Sequence, residues 1–425
     1  MEIANHPCFN KSAHGKFGRV HLPVAPRCNI QCKFCNRKFD CVSESRPGVT
    51  SGLLSPRQAM AYLEKVFKIK KHISVVGIAG PGDPFANPEE TMETLRLVRA
   101  TYPETMVCVA TNGLAILPYV DELGELSVSH VTVTVNAVDP AIGENIYSWV
   151  RHNKRVLRAG EGAALLLENQ LAAIEALKKK NIVVKINSII LPGVNDGHIR
   201  AVAEKMASLH VDLMNCVPYH PAAGSTFENL EEPSRDVVDG IREKAGEFIP
   251  QMRHCTRCRA DAVGLLGEAP DRNLMDVLKT CSEEKPVNAK PRTESPLRRN
   301  VAVASMEGVF INQHLGEAPR LLVYGEQDGV VTLLGARYTP DPGDGEKRWA
   351  QLAMTFSDCH TFLVSGIGET PRRALAAAGI ETLTVEGLID EVVTAVMKGE
   401  SLRHLIKRAV STCGGGRPGG GGGCC

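Results

Sequence analysis

At 425 residues the chain is too long for one ordinary core and is expected to form two domains. Its 49 Lys plus Arg against 48 Asp plus Glu leave a net charge of +1, so no global field draws nucleic acid or an acidic membrane. The opening residues, MEIANHPCFN, lack the basic start and apolar run of a signal peptide. No apolar stretch nears the ~20 residues that span a bilayer, and a cytoplasmic protein is expected.

Fourteen cysteines in a reducing compartment point to metal or redox chemistry rather than a disulfide framework. Five of them fall at positions 8, 28, 32, 35 and 41, which places the chemistry near the N-terminus. Strands are predicted over 19–25, 73–79, 105–110, 130–135, 182–190 and 211–219, where short β-branched runs alternate with longer helical patterns. After the first strand, Ser55 caps a helix with Pro56 at its first position and Gln58 completing a capping box. Met60, Leu63, Val66 and Phe67 then follow at helical spacing. Further helices are predicted over 88–101 and 163–180, each leading into the next strand as parallel βα units require. Six such units fall short of the eight that close a barrel, so the fold class is α/β, a partial (βα)6 barrel with its site at the C-terminal strand ends.

Residues 281–298 are charged, proline-bearing and aperiodic, and are expected to form a linker between a first domain, 1–280, and a second αβ domain, 299–410. The second unit shows strands at 301–305 and near 320–324, 330–334 and 361–365, then a helix around 388–408. The end, 411–425, is a Gly/Cys tail expected to be disordered, and nothing in the sequence assigns Cys424 and Cys425 a role.

Cys28, Cys32 and Cys35 form C-x3-C-x2-C directly after the first strand, in a loop that can fold three thiolates around one iron-sulfur cube. Three ligands for four irons leave one iron open for something else to bind. A zinc loop would favour paired C-x2-C knuckles with four ligands. GIAGPGDP follows the second strand; Gly80 and Gly82 allow a close backbone approach to a ligand, and Asp83 can neutralise an ammonium, although Gly-Pro-Gly-Asp is also an ordinary tight turn. Asn112, Asn136 and Asn187 end or follow strands and can reach a ribose or carboxylate, or serve only their turns.

This stretch resembles the radical S-adenosylmethionine (SAM) enzymes. The resemblance implies a 4Fe-4S cluster on Cys28, Cys32 and Cys35 that binds SAM at its open iron and cleaves it to a 5'-deoxyadenosyl radical, with Phe34 as the usual aromatic and Gly80, Pro81, Gly82 and Asp83 at the SAM amino group. HPCF, CNIQCKFCNRKFDCVSESRPGV, GPGDP, CVATNG, YSWVR and CTRCRADAVG, running in order through residues 5–264, narrow it to a resemblance to the NifB family of nitrogenase cofactor assembly. That implies two more 4Fe-4S clusters as substrates, fused around a SAM-derived carbide with an added sulfide into an 8Fe-9S-carbide product. It also implies cluster donor and cofactor acceptor partners, and no nucleic acid or membrane.

Under that resemblance Cys8, Cys41 and Cys108 are expected around one substrate cluster, and Cys255, Cys258 and a histidine around the other. His21 is favoured for the histidine because its strand leads into the cavity, with His6 and His14 as alternatives. A methyl group losing its hydrogens needs a nearby carboxylate; Glu44, three residues past Cys41, is expected to serve, with Arg46 orienting it. Arg151, Lys154, Arg155 and Arg158 can line a path for an anionic cluster, although such a charge run is usually a solvated helix face. Residues 299–410 resemble NifX-like cofactor-binding domains, implying a ribonuclease-H-like αβ fold, with His314, Cys359 and His360 as possible soft ligands. The alternatives are a radical SAM peptide-modifying enzyme with auxiliary clusters and a non-enzymatic iron-sulfur scaffold.

Overall fold

The computed structural model describes residues 5–43, 49–153, 155–255, 258–283, 298–327, 330–341, 343, 345–400 and 402. Glu44, Arg46, Lys154, Cys424 and Cys425 lie outside the described residues. In chain order the strands are β1 Gly18–His21, β2 Ile30–Cys32, β3 Ile73–Ile78, β4 Met106–Thr111, β5 His130–Thr134, β6 Tyr147–His152, β7 Arg155–Leu157, β8 Val183–Ile190, β9 Leu213–Pro218 and β10 Val263–Gly264. Strands β1, β3, β4, β5, β8 and β9 pair in parallel in that order, and β10 adds antiparallel to the β1 edge, giving a seven-stranded open half-barrel.

Between these strands the helices carry apolar stripes that meet the sheet's outer face. In Pro56–Ile69, Ser55 and Gln58 exchange both capping-box hydrogen bonds, and Tyr62, Leu63 and Val66 are buried. Helices Pro88–Thr101 and Ala159–Lys179 follow β3 and β7. With Val76, Val107, Val131 and Val184 on the sheet, their buried faces form one core of almost fully enclosed side chains.

A three-stranded sheet, β2-β6-β7, had no counterpart among the predicted strands. It corrects the picture of 147–158 as a helix face: Tyr147–His152 is a strand laid antiparallel against Ile30–Cys32, so the segment supports the cysteine loop directly. Residues 281–283 of the expected linker are helical, and 284–297 lie outside the described residues. Helix Arg272–Glu283 runs through residue 281, and Cys281 is fully buried against the core. Its apolar stripe of Leu274, Leu278 and Cys281 outweighs the charged residues that made the segment look like linker.

The second unit adds β11 Asn300–Val303, β12 Arg320–Gln327, β13 Val330–Tyr338, β14 Cys359–Val364 and β15 Glu381–Thr384 in the order β13-β12-β11-β14-β15. The first two pairings are antiparallel and the last two parallel, with helices Glu346–Thr355, Glu369–Ala377 and Ile389–Met397 completing an αβ domain. No described helix is long and apolar enough to cross a membrane.

Candidate iron-sulfur and SAM site

The loop after β1 folds back on the GPGDP turn after β3. Gly82 donates its N–H to Ala25 O at 2.6 Å and Asp83 donates to Arg27 O at 2.8 Å. A Cβ at Gly82 would lie 1.9 Å from the Arg27 carbonyl oxygen, so only glycine permits the two backbones to touch. The Pro81 carbonyl accepts from Cys41 N–H at 3.0 Å and from Arg37 Nη1 at 3.1 Å, binding the far end of the cysteine loop to the same turn.

Between these loops and the strand ends lies a cavity lined by Cys28, Cys32, Phe34, Cys35, Arg37, Cys41, Gly82, Asp83, Asn112, Asn136 and Tyr147, among others. Burial pushes the Cys28 thiol up to about 11 and the Cys32 thiol well above its ordinary value, the latter also through Cys35, Cys28 and Cys41. Four thiols therefore feel one another in a space where isolated thiolates are unfavourable. Arg37 is 4% exposed; burial opposes its charge, but Cys28, Cys35 and Cys41 hold its guanidinium above the usual range.

Not every expected contact is of the kind foreseen. Asp83 is buried with both oxygens engaged: Oδ1 accepts from Phe85 N–H, and Oδ2 from Thr111 Oγ1 and Asn112 N–H at 2.9 and 2.6 Å. Its carboxylate thus locks β3 to the end of β4. Asn112 donates to Asn29 Oδ1 at 2.6 Å and leans on Cys28 Sγ at 3.9 Å. Asn136 accepts from Ile189 N–H and donates to Tyr147 Oη. Asn187 is not among the residues that line the cavity, but it donates to the carbonyl of Ser43, which is.

Below this cavity lies a second group of soft donors that includes Cys108 and His21. The register aligns His21, Gly77, Cys108 and His130 in one row across β1, β3, β4 and β5. A Cβ at Gly77 would sit 3.0 Å from both Cys108 Sγ and the His21 ring, so glycine's missing side chain leaves a gap between them. His21 Nδ1 lies 3.2 Å from the Arg259 carbonyl, which can only accept, so the proton is on Nδ1 and the Nε2 lone pair faces that gap. Burial, with Arg19, pushes His21 down to about 4, keeping the ring neutral.

Cys8 is pushed up to about 12 by burial and feels Cys258 and Cys255, whereas Cys41 lines the upper cavity beside Cys32 and Cys108 shares the strand row with His21 across Gly77. Arg19 donates to Cys258 Sγ at 2.9 Å and to the carbonyls of Gly264 and Leu265. No three His, Cys, Asp or Glu side chains among the described residues converge tightly enough for a single metal ion. A polynuclear cluster asks for wider spacing, because each thiolate takes a different corner iron. Soft donors, a neutral imidazole and nearby cations make a donor set that fits such clusters in both places.

Residues 22–206 match the Radical SAM superfamily, and 298–399 match the family described as Dinitrogenase iron-molybdenum cofactor. The FeMo cofactor biosynthesis protein NifB of Chlorobaculum tepidum is 53% identical over 422 residues, covering 98% of each chain. The chain belongs to the NifB family. Its NifB relatives in Klebsiella pneumoniae and Azotobacter vinelandii are 37% and 35% identical, covering 89% and 93% of this chain and 87% and 88% of theirs. Among solved structures, Streptococcus suis SuiB bound to S-adenosylmethionine overlays with a TM-score of 0.40 at 13% identity, covering 56% of this chain and 50% of that one. Methylornithine synthase (PylB) gives 0.39 at 15%, covering 66% and 84%.

Asn29, Arg37 and Tyr147 lie inside the NifB-like motifs but carry no role in the sequence reading, and Arg19 and Lys185 lie outside them. Arg37 was foreseeable as a cation two residues past the third cysteine. Lys185 had a weaker signal, a lysine inside the β-branched strand IVVKINSII. In the second domain, Cys359 is fully buried in the core, His360 meets Thr361 Oγ1 at 2.6 Å, and exposed His314 takes the Gly316 N–H at 3.1 Å.

Proposed function

We propose that this chain is the radical SAM enzyme of iron-molybdenum cofactor biosynthesis that fuses two substrate 4Fe-4S clusters around a SAM-derived carbide and an added sulfide into the 8Fe-9S-carbide precursor. The supporting observation is the pair of stacked thiol sites inside one half-barrel, one at the loop of β1 and one on the row through Cys108. Between His130 and Thr134, which line the lower and upper spaces, the chain climbs roughly 13 Å at strand rise.

Cys28, Cys32 and Cys35 would hold a 4Fe-4S cluster, which when bound would supply the one-electron reduction needed to cleave SAM. Around it, Arg37 offsets the thiolate charge, Phe34 and Tyr147 exclude water, and Asn112 holds the Cys28 loop through Asn29. Asp83 keeps the GPGDP turn against the β4 end, with Gly82 at the cavity lining; that the turn of Gly80, Pro81 and Gly82 meets the ligand's amino group is carried over from the family resemblance.

For the substrate clusters the geometry favours Cys8, Cys255 and Cys258 around one, steadied by Arg19, and Cys41, Cys108 and His21 around the other. In that grouping Cys41, which lines the upper cavity with its amide fixed on Pro81, would have to join the two levels. Glu44 is proposed to take the methyl-derived protons, with Arg46 orienting it, on the strength of their distance in sequence from Cys41. Cluster donors and cofactor acceptors of nitrogenase assembly are the partners this chemistry needs.

Anaerobic reconstitution tests the reading. About twelve irons per chain, as three 4Fe-4S clusters give, with both 5'-deoxyadenosine and S-adenosylhomocysteine formed after dithionite and SAM, is the expected result. About four irons and deoxyadenosine alone would leave a radical enzyme without cluster fusion, and no deoxyadenosine would leave only a scaffold. Carbide formation at the wild-type rate in Glu44→Gln would remove that residue's role.

A further inference from the structure

The second domain is seated on the mouth of the half-barrel, and it touches the cluster loop itself. The N–H of Cys28 donates to the Glu307 carbonyl at 3.1 Å. Beside it, a Cβ on Gly308 would lie 2.6 Å from Arg27 Cγ, and Gly308 has φ +78°, so the turn abuts the cluster loop where no side chain would fit. The turn is rigid: Glu307 is 3% exposed, and its carboxylate accepts from Phe310 N–H at 2.9 Å and Asn312 Nδ2 at 2.7 Å, while Ser305 Oγ accepts from Gly308 N–H. Burial raises the Glu307 carboxyl, and Arg37 of the cavity wall opposes that rise.

Contacts continue around the rim. Phe310 stands edge-on to Trp149 at 5.6 Å, and Asp390 pairs with Arg151 at 2.7 Å, both on β6. Tyr338 Oη donates to Thr50 O at 3.0 Å, and Lys38 meets Glu317 at 3.4 Å. Every barrel residue in this set belongs to the cysteine loop, its return segment or the hairpin that supports it. The contacted surface is therefore the outer side of the loop and hairpin that wall the SAM cavity, with Cys28 shared between the contact and the cavity lining.

We propose that the C-terminal αβ domain is a docked cap that completes the cluster site, closing it during radical chemistry and lifting for SAM entry and product exit. The contact chemistry suits reversible docking. The centre, from the 305–310 turn to Tyr324 and Arg320, is buried against Arg27 and beside Asp40, but the rim opens easily: the Asp390 and Glu317 side chains remain 49% and 64% exposed, and exposed pairs hold weakly. Closure matters because deoxyadenosyl chemistry must exclude water and oxygen. The proposal rests on the radical SAM assignment of the upper cavity and not on carbide formation.

Hydrogen exchange and iron chelation on the reconstituted full chain, without SAM, test it. In the wild type the amides of residues 27–31 and 305–310 should be protected, and a ferrous chelator should strip the SAM-cluster iron slowly. Asp390→Arg and Gly308→Val should speed exchange of both segments together and accelerate chelation several-fold. The charge swap Arg151→Asp with Asp390→Arg should restore both. If Gly308→Val also loosens residues 300–303 of its own sheet, Asp390→Arg decides alone. Unchanged exchange at 27–31 in Asp390→Arg overturns the cap. Failure of the radical SAM reading would instead show as absent deoxyadenosine in wild-type protein, whatever the exchange pattern.

Discussion

The upper cavity and the lower chamber of the half-barrel use the same donor atom but are assembled in opposite ways. The upper one gathers Cys28, Cys32, Cys35 and Cys41 from a single loop and closes it with one turn, GPGDP. The lower one draws Cys8, His21, Cys108, Cys255 and Cys258 from segments far apart in the chain and aligns part of them by strand register. Each also depends on one missing side chain, Gly82 above and Gly77 below. A site confined to a loop is held by its own backbone, whereas one spread over strands is held by the sheet. Damage to the two should therefore have separable consequences.

The largest separation is expected from Cys32→Ala. It should abolish deoxyadenosine formation and remove about four of about twelve irons, leaving the lower clusters in place. Continued SAM cleavage at the wild-type rate would mean that the upper cavity is not where the radical is made. Next in size, Cys258→Ser and Cys8→Ser should each lose about four irons while deoxyadenosine persists. The double variant should lose no more than either single one, because the two residues share one cluster. Loss of about eight irons in the double variant would assign them to different clusters.

Much of the upper site was readable because its chemistry is local. C-x3-C-x2-C after a strand, an aromatic before the third cysteine and a Gly-Pro-Gly turn after the next strand need no tertiary knowledge. Even there Asp83 was assigned an ammonium when its oxygens serve Thr111 and Asn112, since the closeness of two strand ends is not written in either segment. Below, which donors come together is not legible in the sequence, because it depends on register. His21 aligns with Gly77 and Gly77 with Cys108 only once three strands are in place. The hairpin at 147–157 was missed for a related reason: its partner strand, Ile30–Cys32, is three residues long and hidden inside the cysteine motif.

The two glycines give a sharper and smaller contrast. Gly82→Ala places a methyl 1.9 Å from a backbone oxygen, a clash that only main-chain movement relieves. Overpacking of that kind costs about 1–3 kcal/mol or more, and the SAM cluster should be lost with it. In Gly77→Ala the new methyl meets Cys108 sulfur and the His21 ring at 3.0 Å, where side chains can yield by a few tenths of an ångström. SAM cleavage should survive, and the nitrogen coupling of His21 to a substrate cluster should weaken in pulsed EPR. If Gly77→Ala abolishes SAM cleavage while Gly82→Ala spares it, the assignment of levels is inverted.

The smallest effect concerns charge. Burial drives His21 to about 4 and His130 to about 3, so these rings stay neutral, and Arg19 and Lys185 supply positive charge to the lower chamber. Lys185 is 7% exposed on β8, 5.1 Å from the Phe9 ring, and its charge is felt by His6, Cys8, His21 and His130. Reducing a cluster adds a negative charge that this ammonium stabilises. Lys185→Met keeps most of the stem but removes the charge, so reduction should become harder while iron content holds. A unit charge roughly 8 Å away at an effective dielectric of about 20 corresponds to a fall on the order of 100 mV. EPR-monitored titration reads that shift cluster by cluster: a drop confined to the substrate clusters places Lys185 in their chamber, and an equal drop in the SAM cluster would show that the two spaces share one field.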